Sequence, residues 1–217
     1  MSWTYYWAGS SGDQPAYNQY DWNGCAIGCG PVALTMMFLW ADRQAGIGNA
    51  YWAPRNGIYR VNGGRGGDAI APIGQDGGVD NVIQEIHGDV GTFCSFGSGA
   101  TFPWSMGGAW QYLNGRTWTT LTCDYDALGI DEGGLRDKAI SSIRDRHTPA
   151  VIGIGWLSHY PLAWGYAWQQ RTVQHCFIWC WNDTVTDQCF YVNEGWGHGG
   201  SGDWVDASTW FAGQIFP

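Results

Sequence analysis

Two cysteines spaced four residues apart, Cys25 and Cys29, sit in the segment Gly24-Cys-Ala-Ile-Gly-Cys-Gly-Pro31. A thiol attacks as its thiolate, and the free N–H groups and dipole at a helix N-terminus favour that form. Cys29 occupies such a place. Gly30 and Pro31 suit a first helical turn, where a missing N–H costs nothing, and Val32 to Trp40 is an almost wholly apolar run, so the pattern predicts a buried helix over 29–43. A helix begun at Cys25 would carry Pro31 in its interior and break there, which leaves Cys25 the lesser candidate. The plain alternative for Cys29 is a small buried hydrophobe.

A thiolate needs a base beside it, and that base needs a third group to hold its ring and tautomer. His159 opens a predicted strand, His159 to Trp168, directly after the strand-like run Ala150-Val-Ile-Gly-Ile-Gly155. Asn193 closes another, Cys189 to Asn193, and leads into Glu194-Gly-Trp-Gly197. Residues at neighbouring strand ends can touch, so Cys29, His159 and Asn193 make a candidate triad. His175 is the rival base and lies nearer to Asn193 in sequence. If His159 is the base, residues 167–188 become a hairpin insertion and His175 a structural histidine. His87 and His147 read as structural, and His198 as a residue lining a cleft.

The elements that must position these groups come in two blocks. After an aromatic, turn-rich arm over 1–28 and the helix at Cys29, residues 46–78 form a glycine-rich loop. No strand-to-helix context or phosphate-binding lysine accompanies it, which excludes a nucleotide cradle. Val79, Val82, Ile83 and Ile86 repeat at helical spacing, with Gly88 as the stop. A third helix is predicted over 134–146, with Leu135, Ala139, Ile140 and Ile143 on one side and a solvated charged face on the other. Strands follow over 150–155, 159–168, 173–181 and 189–193. Helices first and sheet second is an α+β arrangement. The expectation is a single domain over 1–217, with a helical and loop-rich lobe over about 1–130 and a mostly β lobe over about 131–217.

Three segments in this order, GCGPVALTMMF at 28–38, HYPLAWGY at 159–166 and FYVNEGWG at 190–197, resemble the papain-like cysteine peptidase superfamily. The N-terminal block AYNQYDWNGCAIGCGPVA and the later NEGWGHGGSGDW look most like its streptopain-type branch, and GCGPVAL is also similar to bacteriocin-processing double-glycine peptidases. Residues 41–130 carry no part of the resemblance. It implies a nucleophile-bearing helix packed on a C-terminal antiparallel sheet or partial barrel, with peptide-bond hydrolysis through a thioester and no metal or organic cofactor. Carried over by position, Cys29 is the nucleophile, His159 the base and Asn193 the group orienting the imidazole. Gly195 and Trp196 then belong to the substrate-binding and shielding wall, with Trp196 covering the His159 to Asn193 bond. Such families place an amide donor for the oxyanion six residues before the cysteine. Here that residue is Asn23 for Cys29, a shorter side chain than the usual Gln, and Gln19 for Cys25.

Composition narrows the partners. Ten Lys and Arg against 19 Asp and Glu give a net charge of −9, which removes the attraction that nucleic acid or an anionic membrane requires. A peptide or protein is the expected substrate, and the sequence is silent on oligomeric state. The count of seven cysteines is odd, so one thiol stands outside any set of internal disulfides. Up to three bridges in a chain whose only lysine is Lys138 suggest a secreted protein, and the N-terminus MSWTYYWAGSSG shows no signal-peptide pattern. A zinc knuckle at Cys25 and Cys29 or at Cys176 and Cys180 is disfavoured by the Gly-Pro after Cys29 and the strand-like residues around Cys176. The same triad also fits an amidase or transpeptidase acting on non-protein amides such as peptidoglycan, and the sixteen Trp fit a catalytically inactive binding module that uses them as stacking platforms.

Overall fold

The computed structural model describes residues 2–52, 57–59, 70–116, 122–127, 132–155, 157–196 and 202–216, without the side chains of Thr122, Cys123 and Glu132. Most of the glycine-rich loop's centre and His198 lie outside them. The first helix, α1 (Cys29–Gly46), starts at the predicted residue and runs one turn further than expected. Its apolar run has no wet face: Leu34, Met36, Met37, Phe38 and Leu39 are all fully buried, each side chain contributing about 1.5–3 kcal/mol of burial free energy. Pro31 lies in the first turn, and its carbonyl accepts from Thr35 Oγ1 at 2.8 Å.

Three further helices are present among the described residues: α2 (Gly77–Asp89), α3 (Gly108–Arg116) and α4 (Glu132–Arg146). Asp76 caps α2 by accepting from the Val79 N–H at 2.9 Å. No helix among the described residues is long and apolar enough to cross a membrane.

The main sheet has seven strands: β1 (Thr4–Trp7), β6 (Thr122–Ala127), β7 (Ala150–Gly153), β8 (Leu162–Cys176), β9 (Cys180–Asn193), β10 (Asp203–Asp206) and β11 (Phe211–Phe216). All its pairings are antiparallel, in the order β10-β9-β8-β7-β11-β6, and the sheet is not closed into a barrel. β8 begins against β7 and then exchanges that neighbour for β1, which pairs Trp7 with Gly165 and Thr4 with Trp168. A smaller sheet joins β2 (Asp21–Trp22), β3 (Cys25–Ala26), β5 (Ser98–Ala100) and β4 (Phe93–Ser95).

Alternation along the strands decides which helix each residue meets. Val151, Leu162, Trp164, Phe211 and Ile215 face the core built on α1. Ile152, Ala163, Tyr166, Phe190 and Val192 face Leu135, Ala139, Ile140 and Ile143 of α4 on the opposite side. The fold is therefore α+β, with helices covering both faces of an antiparallel sheet. The expected division near residue 130 does not follow the sheet, because β1 and β6 come from the N-terminal part of the chain. The supposed irregular arm likewise contains β1, β2 and β3.

Two disulfides pin this frame. Cys176–Cys180 closes the tip of the long β8–β9 hairpin, and Cys25–Cys94 ties β3 to β4 across a sequence separation of 69 residues. A bridge closing a loop of that length limits the denatured chain by about 4 kcal/mol in the loop-entropy account. Replacing Cys25 and Cys94 together by Ser should lower stability by about that amount, read as a drop in the urea midpoint with a slope that rises as the denatured chain loses its cross-link. An unchanged midpoint would contradict the linkage.

Candidate active site

The sulfur of Cys29 stands at the head of α1, unpaired and partly exposed. Gly28, the N-cap, has no side chain with which to occupy the first-turn N–H groups. Tyr160 supplies the contact from the sheet: its backbone N–H reaches Cys29 Sγ at 3.4 Å, within range for a sulfur acceptor. Tyr160 is itself anchored, with its hydroxyl donating to the Thr101 carbonyl at 3.2 Å and its ring edge-on to Trp210. His159, one residue earlier, exchanges a bridge with Ile154, whose N–H donates to the His159 carbonyl at 3.0 Å. The turn before β8 thus brings the His159–Tyr160 pair against the helix head, three residues ahead of the strand that sequence assigned to His159.

The imidazole is held by the segment after β9, but not by Asn193. Trp196 Nε1 donates to His159 Nε2 at 3.2 Å, with the two rings 5.3 Å apart and inclined by 30°. Since Nε2 accepts, the neutral ring carries its proton on Nδ1. A hydrogen bond to the Glu194 main chain favours the protonated ring. Asn193 is spent otherwise: its Nδ2 donates to the Pro15 carbonyl at 2.9 Å and its Oδ1 accepts from Gly195 N–H at 3.0 Å. It fixes the turn that carries Trp196, so it acts on the imidazole at one remove. The expected shield is a donor instead, and 59% of Trp196 remains exposed. Gly195 has a positive φ of 71° and a Cβ there would lie 3.1 Å from Val32 Cγ1, so glycine is what allows this turn to sit on α1.

Three sequence candidates are displaced, two minor alternatives and the Asn23 amide. Cys25 is locked in its bridge to Cys94 and cannot be a nucleophile. Neither Cys25 nor Cys176 and Cys180 is available to a metal, for the same reason. His175 lies at the far end of β8, exposed, stacked on Trp181 and 3.5 Å from Asp183. With about 3.3 Å of rise per residue, it stands roughly 40 Å along the strand from Leu162. Asn23 is exposed at φ 56° on the tip of the β2–β3 hairpin, where Asn-Gly is the favoured pair for a tight turn. An amide at such a tip is no preorganised donor for charge beside Cys29.

Gln19 takes a different place. Its backbone N–H donates to the Gly195 carbonyl at 2.8 Å, next to Trp196, and its side-chain Nε2 is buried without an acceptor among the described residues. Sequence spacing tied Gln19 to Cys25. The hairpin turn at Asn23-Gly24 inserts residues between amide and nucleophile, and that dipeptide was the signal for it.

The electrostatics also differ from the helix-dipole expectation. Burial pushes the Cys29 thiol above its ordinary value, and the N–H groups of Tyr160, Cys29 and Gly30 only oppose that shift. Burial holds His159 below its ordinary value. At neutral pH these directions leave Cys29 as a thiol and His159 as a neutral imidazole. The Trp196 indole favours the neutral ring, because its donor requires the Nε2 lone pair. Trp196→Phe should accordingly raise the His159 pKa, as read by NMR titration of the ring protons; a value unchanged or lowered would show that the indole bond does not act on the imidazole.

No protein-family model matches the chain, and no curated protein matches it.

Proposed function

We propose that this protein is a cysteine peptidase of papain-like fold, hydrolysing peptide bonds with Cys29 as nucleophile and His159 as general base and acid. The observation that carries the reading is the unpaired Cys29 sulfur at the head of a buried helix, in contact with the residue adjoining a histidine whose ring is fixed by Trp196 and Glu194. His159 takes the thiol proton on Nε2, which gives up the Trp196 indole bond on turnover, as Sγ bonds to the substrate carbonyl carbon, giving a tetrahedral oxyanion. The carbon–nitrogen bond then breaks, His159 returns the proton to the leaving amine, and a thioester remains on Cys29. Water, deprotonated by His159, attacks the thioester; the carboxylic acid departs and the thiol is restored.

The oxyanion needs donors already in place. The Cys29 N–H at the uncapped helix start is one, and the Gln19 amide, buried without an acceptor among the described residues, is the other. Removing one such donor costs about 10²–10³ in kcat. Gln19→Ala should show a loss of that order with the fold intact by circular dichroism, and Asn23→Ala should leave kcat unchanged. The reverse result would return the role to Asn23.

The two disulfides support an oxidising compartment, in keeping with a secreted enzyme. The experiment for the reading is digestion of a proteome-derived peptide mixture with the oxidised protein. Peptides with new termini should accumulate, and iodoacetamide pretreatment should prevent it. No cleavage, or cleavage that survives alkylation, would oppose the proposal.

A further inference from the structure

Beside α1, part of the same sheet face is left uncovered, and aromatic rings line it. A cavity of about 390 Å³ is bounded by Trp7, Gly9, Ser11, Gln14, Trp164 and Tyr191, within the ~300–1,000 Å³ range of small-ligand sites. Trp204 packs edge-on against Trp7 at 5.7 Å, Tyr191 at 5.3 Å and Tyr5 at 5.6 Å. On its other side a second hollow of about 170 Å³ opens between Trp204, Tyr5 and Trp3. The two hollows share one aromatic wall. Trp7, Trp204 and Tyr5 are 39%, 42% and 51% exposed, although each is large enough to have been core.

The surface is built rather than residual. Trp7 lies across β8 at Gly165, where a Cβ would come within 2.6 Å of Trp7 Cζ3 and 3.1 Å of Tyr191 Cβ. Only glycine admits the indole there. Deeper in, two donors lack acceptors among the described residues. Gln14, which lines the larger hollow and is only 9% exposed, has an unpartnered Nε2; Trp40, behind Gly9 and outside the lining, has an unpartnered Nε1 lying 3.7 Å from the position a Cβ on Gly9 would take. A buried donor left unpaired is destabilising, a cost that a ligand oxygen would offset.

We propose that this cleft binds a neutral oligosaccharide. Ring faces suit the C–H faces of a sugar, the Gln14 donor in the lining calls for an acceptor oxygen, and no charged side chain lines either hollow. An extended peptide fits less well. The cleft lies on a sheet face whose strands are already paired with one another, so peptide N–H groups would meet aromatic walls without a ladder to join. The proposal does not depend on catalysis at Cys29.

The test uses the oxidised full chain with cellotetraose, maltotetraose and chitotetraose as probes, followed by tryptophan fluorescence and by saturation-transfer NMR. At least one probe should bind, with transfer to the sugar ring protons. Trp204→Ala and Gln14→Leu should each weaken binding about tenfold or more, and Trp179→Ala, at the distant hairpin tip, should leave it unchanged. If the variants fail to fold, the wild-type protein still decides through saturation transfer and through competition by a proline-rich peptide. No transfer from any probe, binding that survives both substitutions, or binding of the peptide but not the sugars would overturn the proposal.

Discussion

Cys29→Ala should abolish peptide hydrolysis, lowering kcat/KM by about four orders of magnitude or more, the scale on which removal of an attacking group acts. The change deletes one sulfur at a partly exposed helix head, where its described partners are backbone N–H groups. The loss of stability should therefore be small, about 1 kcal/mol or less. Retained hydrolysis in a folded Cys29→Ala protein would remove the nucleophile from the account. Peptide mapping of iodoacetamide adducts separates this thiol from Cys189, the other unpaired cysteine among the described side chains.

His159→Ala should be almost as damaging, about 10³-fold, because it removes the proposed base, and general base catalysis by a positioned imidazole contributes about 10²–10⁴. His175→Ala should change nothing measurable, since that ring lies on an exposed hairpin against Trp181. The pH dependence follows from burial. With the imidazole held below its ordinary 6.5, the base stays unprotonated in mild acid, so the acid limb of kcat/KM should fall below pH 6.5. With the thiol raised above its ordinary 9.0, alkylation by iodoacetamide should climb through the alkaline range without levelling near neutrality. A plateau at neutral pH would instead reveal a preformed thiolate–imidazolium pair.

What the sequence disclosed was local chemistry with an unambiguous backbone consequence. Gly30-Pro31 ahead of an unbroken apolar run set the start of α1 at Cys29, because proline is tolerated in the first turn and not in the interior. The four-residue apolar spacing of Val79 to Ile86 likewise marked α2. Exposure was harder to read. Phe177, Ile178 and Trp179 looked like strand interior, yet they form the solvent-facing tip that Cys176–Cys180 closes, since a covalent clamp can hold apolar residues where burial does not. Helix α3 escaped notice because Gly108 and Gly115 dilute its pattern, and β6 because its apolar residues are few.

At the site, the residue types were legible and their partnerships were not. Asn193 and Trp196 do gather at the end of β9, but the hydrogen bonds run from Asn193 to Pro15 and Gly195 and from Trp196 to the imidazole. Those choices depend on where residues 14–19 cross the sheet, which no local pattern encodes. The state of the thiol depends on the same kind of information: the helix head is visible in sequence, whereas the burial that opposes its effect is not.

The most direct test of the pairing between Cys29 and His159 is NMR titration of the histidine ring protons before and after Cys29 is alkylated. The account predicts that His159 titrates below 6.5 and that its resonances and midpoint shift on alkylation, with those of His175 unmoved. A His159 signal indifferent to modification of Cys29 would contradict it.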